Sequence, residues 1–160
     1  MTSASPEEVG CLIGGPARAA EVALARLLDV DLIRVSGDGL MTARDRPGFG
    51  AMTPLQLHVL NDVRAGGRHL HEVVGDAAES PLATELHARL IERGLLRGEG
   101  DRTKAGREAV TLAEPSARHD RVVAVAFHGL RGRVGVFSVA RLFGLTPEIV
   151  RTLPEHHRDA

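Results

Sequence analysis

Ala25-Arg-Leu-Leu-Asp-Val-Asp-Leu-Ile-Arg-Val-Ser-Gly-Asp38 aligns without a gap on Ala88-Arg-Leu-Ile-Glu-Arg-Gly-Leu-Leu-Arg-Gly-Glu-Gly-Asp101. Seven of the 14 positions are identical, from Ala25/Ala88 to Asp38/Asp101, and three more (Leu28/Ile91, Asp29/Glu92, Ile33/Leu96) keep their chemistry. Each copy reads as the end of an amphipathic helix, a one-residue break, an apolar strand start and a tight turn. Asp31 and Gly94 fall on the break. That slot suits a left-handed backbone, which Gly takes freely and Asp tolerates. A helix feeding a β-ribbon is the second half of a winged-helix unit, and the chain uses it twice.

Working outward, the first copy is preceded by two helix signals. Ser5-Pro6-Glu7-Glu8 is a helix start, with Ser5 as N-cap, Pro at the first helical position and acids in the first turn. Gly14-Gly15-Pro16 ends that short helix as a tight turn. A second helix runs from about Pro16 to Val30, with Ala20, Leu24, Leu27 and Leu28 on one face and Arg18, Val22, Arg26 and Asp29 on the other. Gly37-Asp38-Gly39 is the hairpin turn between strands at Leu32–Ser36 and Leu40–Ala43.

Arg44 to Met52 reads as a linker. Thr53-Pro54 opens a helix running to about Ala65, His69 to Ala78 forms a short one, and Ser80-Pro81 starts a third, with Leu82, Leu86 and Leu90 on one face. Leu95-Leu96-Arg97 and Arg102-Thr103 then form the second hairpin. Three helices and a hairpin over 53–104 are the order of a complete winged helix; 6–43 is a shortened version. Lys104 to Ala113 is helical. The run Val122-Val-Ala-Val-Ala-Phe127 suits a buried helix or a strand, and Ala124 and Ala126 favour helix. Gly129, Gly132 and Gly135 make a loose basic link. Short helices follow at Ser138–Phe143 and Pro147–Leu153, with Thr146 as N-cap and a frayed tail from Pro154.

The expected fold is therefore α+β and mainly helical: tandem winged-helix-like units with short β-hairpins and a helical C-terminal closure. The boundaries are 6–46 for the truncated unit, 53–113 for the second and 114–153 for the closure.

Composition narrows the function classes. The 160 residues hold 43% apolar residues, four Phe and no Trp or Tyr, so the core must be Leu, Val and Ala. The net charge is −1, and it divides as −2 for 1–52, −1 for 53–113 and +2 for 114–160. No segment has the basic excess of a strong nucleic-acid or anionic-membrane binder. A single cysteine, Cys11, excludes an internal disulfide and a Cys-rich zinc site. It is expected to pack as a small hydrophobe. The first 15 residues carry Glu7 and Glu8 and no basic residue, unlike a signal peptide, and the apolar run 122–127 is too short to span a bilayer. A soluble, cytoplasmic protein is the expectation.

Gly14-Gly15-Pro16-Ala-Arg-Ala-Ala-Glu-Val-Ala-Leu-Ala-Arg-Leu28, with Arg34-Val35, Gly39-Leu40 and Gly94-Leu95-Leu96, resembles an actinobacterial family of unknown function whose members are usually described as membrane proteins. Arg102-Thr103-Lys104-Ala105-Gly106-Arg107 and Val123-Ala-Val-Ala-Phe-His-Gly129 are similar to further blocks of that family. Its members commonly carry membrane spans between the second Gly-Leu-Leu and the Arg-Thr block, where this chain has only Arg97 to Asp101, so the resemblance implies a soluble variant. The order of parts also resembles bacterial relatives of Golgi phosphoprotein 3, which bind phosphoinositide headgroups through a pocket that needs a Trp this chain lacks. Neither resemblance supplies catalytic residues.

Candidate chemistry follows from charge placement. In a helix-turn-helix, helix 81–94 would enter the major groove and the 97–104 hairpin would lie on the backbone. The outward face of that helix carries Thr84, Glu85, Ala88, Arg89 and Glu92, and its carboxylates oppose phosphates. The wing, with Arg97, Arg102, Lys104 and Arg107, is better suited to DNA or an acidic partner, alongside Arg89. A second basic group, Arg118, Arg121, Arg131, Arg133 and Arg141, suits an acidic partner or an anionic headgroup. His128, ending the most apolar run, is the candidate buried polar site. His69-Leu70-His71 lacks an acidic complement for a metal, and no catalytic residue, metal site or cofactor is expected. The leading expectation is a non-enzymatic interaction or regulatory module acting on another protein. A DNA-binding winged-helix regulator and a peripheral headgroup-binding protein are the alternatives, and a homodimer is compatible with each.

Overall fold

The computed structural model describes residues 4–44, 50–98 and 100–153. The fold is α+β and mainly helical. Its elements in chain order are α1 (Pro6–Asp29), β1 (Ile33–Val35), β2 (Met41–Ala43), α2 (Pro54–Arg64), α3 (Leu70–Ala78), α4 (Pro81–Glu92), α5 (Lys104–Ala113), α6 (Arg121–His128), β3 (Arg133–Val134), β4 (Phe137–Ser138) and α7 (Pro147–Arg151). Short 3-10 turns at Glu114–Arg118 and Ala140–Phe143 link the later helices.

Helix α1 occupies the centre. Ser5 caps it through a full capping box with Glu8. The break expected at Gly14-Gly15-Pro16 is a kink: Gly15 sits at φ +75°, ψ −169°, and the helix resumes at Pro16. Beyond the kink, every residue from Ala19 to Ala25 is buried, Glu21 and Val22 included. This corrects the expected two-faced helix. α2, α3, α4 and α6 all pack against α1, and the fully buried stretch ends only at Arg26. The alanines at 19, 20, 23 and 25 allow that close approach from several directions.

The paired stretches adopt one conformation through the helix end. The Val30 and Arg93 N–H groups donate to the Arg26 and Arg89 carbonyls, those of Asp31 and Gly94 to Leu28 and Ile91, and those of Leu32 and Leu95 to Leu27 and Leu90, the last pair at 2.9 Å in both copies. Asp31 has φ +61° and Gly94 φ +74°, and Asp31 is the only non-glycine at positive φ among the described residues. After that hinge the copies part. In the first ribbon, β1 pairs antiparallel with β2 and the turn closes between Ser36 and Leu40, with Gly39 at φ +90°. In the second, a single bridge joins Leu96 to Arg102 and the turn closes between Arg97 and Asp101, with Gly100 at φ +90°. Gly39 therefore corresponds to Gly100. The ungapped pairing of Gly37 with Gly100 and Asp38 with Asp101 slips by two residues, because the second ribbon is shorter.

Thr53, Ser80 and Thr146 cap α2, α4 and α7, as their sequences indicate. Residues 121–128 are helical, with Asp120 as N-cap. Two expectations change in the C-terminal part. The link through Gly132 and Gly135 is a small hairpin, β3 against β4, with Arg133 opposite Ser138 and Val134 opposite Phe137. The helix expected over 138–143 is reduced to the 3-10 turn at Ala140–Phe143. Residues 45–49 of the expected linker and the tail from Pro154 lie outside the described residues.

Candidate functional site

Buried polar groups are the first place to look for chemistry, because an unpaired one is costly. His128 is not among them. It ends α6 on the exposed side, after the buried run 122–126 and half-buried Phe127, and Gly129 terminates the helix at φ +75°. The expected buried histidine is thus corrected: the apolar run is a helix, and its last turn emerges into solvent. The buried carboxylates are Glu7 and Glu21, each 6% exposed.

Glu7 joins α1 to α2. Its Oε2 accepts from Thr53 Oγ1 at 2.7 Å and from Gln56 Nε2 at 3.0 Å. Thr53 and Gln56 also cap α2 reciprocally. Burial pushes the Glu7 carboxyl above its usual range, against the two hydrogen bonds that favour the charged form. Both donors meet one oxygen. Glu21 and half-buried Arg18, one helical turn apart, finish the C-terminus of α6. Glu21 Oε1 accepts from the Leu130 N–H at 2.7 Å, and Arg18 Nη1 donates to the Ala126 carbonyl at 3.1 Å. These are helix-end groups satisfied across a helix pair. Cys11 is buried, and burial pushes its thiol up to about 12, so it packs as a hydrophobe and offers no thiolate. Among the described residues, no group of three or more His, Cys, Asp or Glu could hold a metal ion.

The surface arginines divide by environment. Arg97 and Arg102 flank the second hairpin, and Lys104 and Arg107 stand on the first turn of α5, so these four share one junction. Arg107 Nη1 donates to the Arg102 carbonyl at 3.1 Å. Arg89 is not part of that group. It lies on α4 in a cleft of about 570 Å³ whose wall includes Glu7, Glu8, Glu85 and Glu92. Of the second basic group, Arg121 is engaged by Asp29 at 2.6 Å and lies 4.9 Å from the Phe143 ring centre. Arg131 donates to the Arg151 and Leu153 carbonyls at the end of α7. Arg118, Arg133 and Arg141 are exposed, and their side chains make no hydrogen bond or ion pair among the described residues.

An open groove runs along α5. It has a volume of about 740 Å³ and is lined mainly by apolar side chains, among them Val9, Leu95, Ala105, Ala109, Leu112 and Val123, with Arg93 and Glu108 at its edge. Arg93 is held there by an ion pair with Glu8. Only Gly106 of α5 is buried, because the helix lies so close to the second hairpin that a Cβ at Gly106 would stand 2.1 Å from the Leu95 carbonyl oxygen. Leu112 is 67% exposed on the groove. Residue identity alone did not single out this groove: Leu112 reads as one more apolar residue of an amphipathic helix, and only the packing shows that it is left open among the described residues.

No family model matches the chain, and neither the curated proteins nor the solved structures contain a significant match. No helix among the described residues is long and apolar enough to cross a membrane.

Proposed function

We propose that the chain is a non-enzymatic interaction or regulatory module that acts on another protein. The observation carrying this reading is the uncovered apolar groove along α5, with Leu112 standing open on it. Its size is in the range of pockets that enclose a ligand or a side-chain cluster, and exposed apolar surface of this kind marks contact sites. In this reading 6–46 and 53–113 are tandem winged-helix-like units closed by 114–153, and the groove is formed where the second unit and the closure meet the start of α1.

A DNA-binding regulator is the alternative, favoured by the meeting of Arg97, Arg102, Lys104 and Arg107 at one junction. Against it stands the outward face of α4, where Glu85 and Glu92 are exposed beside a cleft that also holds Glu7 and Glu8. A recognition helix so placed would bring carboxylates against phosphates. A headgroup-binding surface is weakened by the use of Arg121 and Arg131 in internal contacts.

Site-specific photo-crosslinking in cells tests the leading reading. A benzophenone side chain at position 112 is expected to give a discrete heavier adduct containing a second protein, and the same group at exposed Glu79 none. Absence of any discrete adduct at 112, together with a duplex-DNA shift at low salt lost on Arg102→Glu, would replace it with the DNA reading.

A further inference from the structure

The turn of the β3–β4 hairpin carries Val136, 82% exposed, and the adjoining Phe137 is 62% exposed. Val136 is the most exposed large hydrophobic among the described residues. Gly135 has φ +61° at the first central turn position and Val136 is not at positive φ, the type II′ pattern that suits a two-residue hairpin. The hairpin base is firmly held. Val139 N–H donates to the Gly132 carbonyl at 3.0 Å, and a Cβ on Gly132 would meet the His128 carbonyl oxygen at 2.1 Å. Leu130 and Val139 are fully buried, Leu130 N–H is taken by Glu21, and Arg131 reaches the end of α7. A pinned base thus presents an apolar tip. Along the chain on both sides of it the charge has one sign: from Arg121 to Pro147 there are four arginines and no Asp or Glu. Two of them, Arg133 and Arg141, are exposed and make no ion pair among the described residues.

We propose that this tip is a docking anchor: Val136 and Phe137 enter an apolar pocket ringed by carboxylates on a partner protein, with Arg133 and Arg141 meeting the ring. The inference rests on reading the chain as a protein-interaction module, but on a surface distinct from the α5 groove. Two such tips do not pair with each other, because that would bring arginines against arginines. A bilayer fits less well than a protein. The chain has no Trp or Tyr to hold an interface, and only two of the four arginines here remain free of internal contacts. Arg and Phe beside a small apolar tip match the composition of protein-interface centres, where a few rigidly presented anchors carry most of the affinity.

The test is selection of a displayed random-peptide library on the immobilised full chain. It is repeated with Phe137→Asp, with Arg133→Glu combined with Arg141→Glu, and with Leu112→Glu. All these positions are exposed, and unchanged thermal unfolding of each variant confirms folding. The proposal predicts peptides that set an apolar centre between Asp or Glu residues. Their binding falls about tenfold or more with the tip variant and with the arginine variant, and is unchanged by Leu112→Glu. Peptides indifferent to Phe137→Asp but lost on Leu112→Glu overturn this proposal while supporting the groove reading. No enrichment on either surface overturns both. Binding to phosphatidylcholine–phosphatidylserine vesicles that depends on Phe137, without peptide enrichment, overturns the protein partner in favour of a bilayer.

Discussion

Glu7 is an acid placed where water is scarce, and its hydrogen bonds only partly offset that burial. Because its folded pKa is raised, the native state holds the proton more tightly than the unfolded chain does. The stabilisation is complete below the ordinary Glu pKa and is lost as pH rises through the folded value. A neutral amide should keep both hydrogen bonds and remove the penalty. Glu7→Gln is therefore expected to be more stable than the parent at neutral pH and to flatten the pH dependence of thermal unfolding above the ordinary Glu pKa. A variant less stable at every pH would mean that the charge itself is needed. The sequence shows Glu7 only as a first-turn acid beside a helix N-terminus. Its burial comes from α2, a neighbour that helical periodicity within α1 does not reveal. The same gap explains His128. An apolar run predicts burial of the run, but which end emerges depends on what packs around it.

At the scale of elements, the hinge was legible because its backbone demand is local. A left-handed residue between a helix and a strand admits few residue types, and the chain places Asp and Gly there. Gly94→Asp is expected to cost no more than about 1 kcal/mol, since Asp31 holds the same conformation in the other copy and no neighbour lies within 4 Å of the added Cβ. Gly94→Val should cost clearly more, because a branched Cβ is poorly tolerated at positive φ. Chemical denaturation of both variants measures the difference, and equal costs would argue against a shared hinge. The turns were legible only in kind. The Gly37/Gly100 identity favours one alignment, whereas the turn geometry requires a positive-φ glycine at the closing position, which is Gly39 in the first ribbon. The β3–β4 hairpin escaped because strands of two residues have no readable period, and Gly132 and Gly135 look like slack where one is a close backbone approach and the other a tight turn.

For the whole molecule, the arrangement follows from one helical segment, Ala19 to Ala25, buried at every residue. α2, α3, α4 and α6 pack on α1, and among the described residues exposed apolar side chains stand on the flank of α5 and at the tip of the C-terminal hairpin. The class of fold was readable from caps, breaks and the repeated helix-to-ribbon stretch. The hub was not, because an alanine-rich helix with Arg18, Glu21 and Arg26 in it has the pattern of a surface helix until its neighbours are placed. Native-state hydrogen exchange tests this arrangement most directly. Amides of Ala19 to Ala25 should be among the slowest in the protein, opening only with global unfolding, while those of α5 should exchange orders of magnitude faster through local opening. Exchange of Ala19 to Ala25 at rates like those of α5 would contradict the central place given to α1.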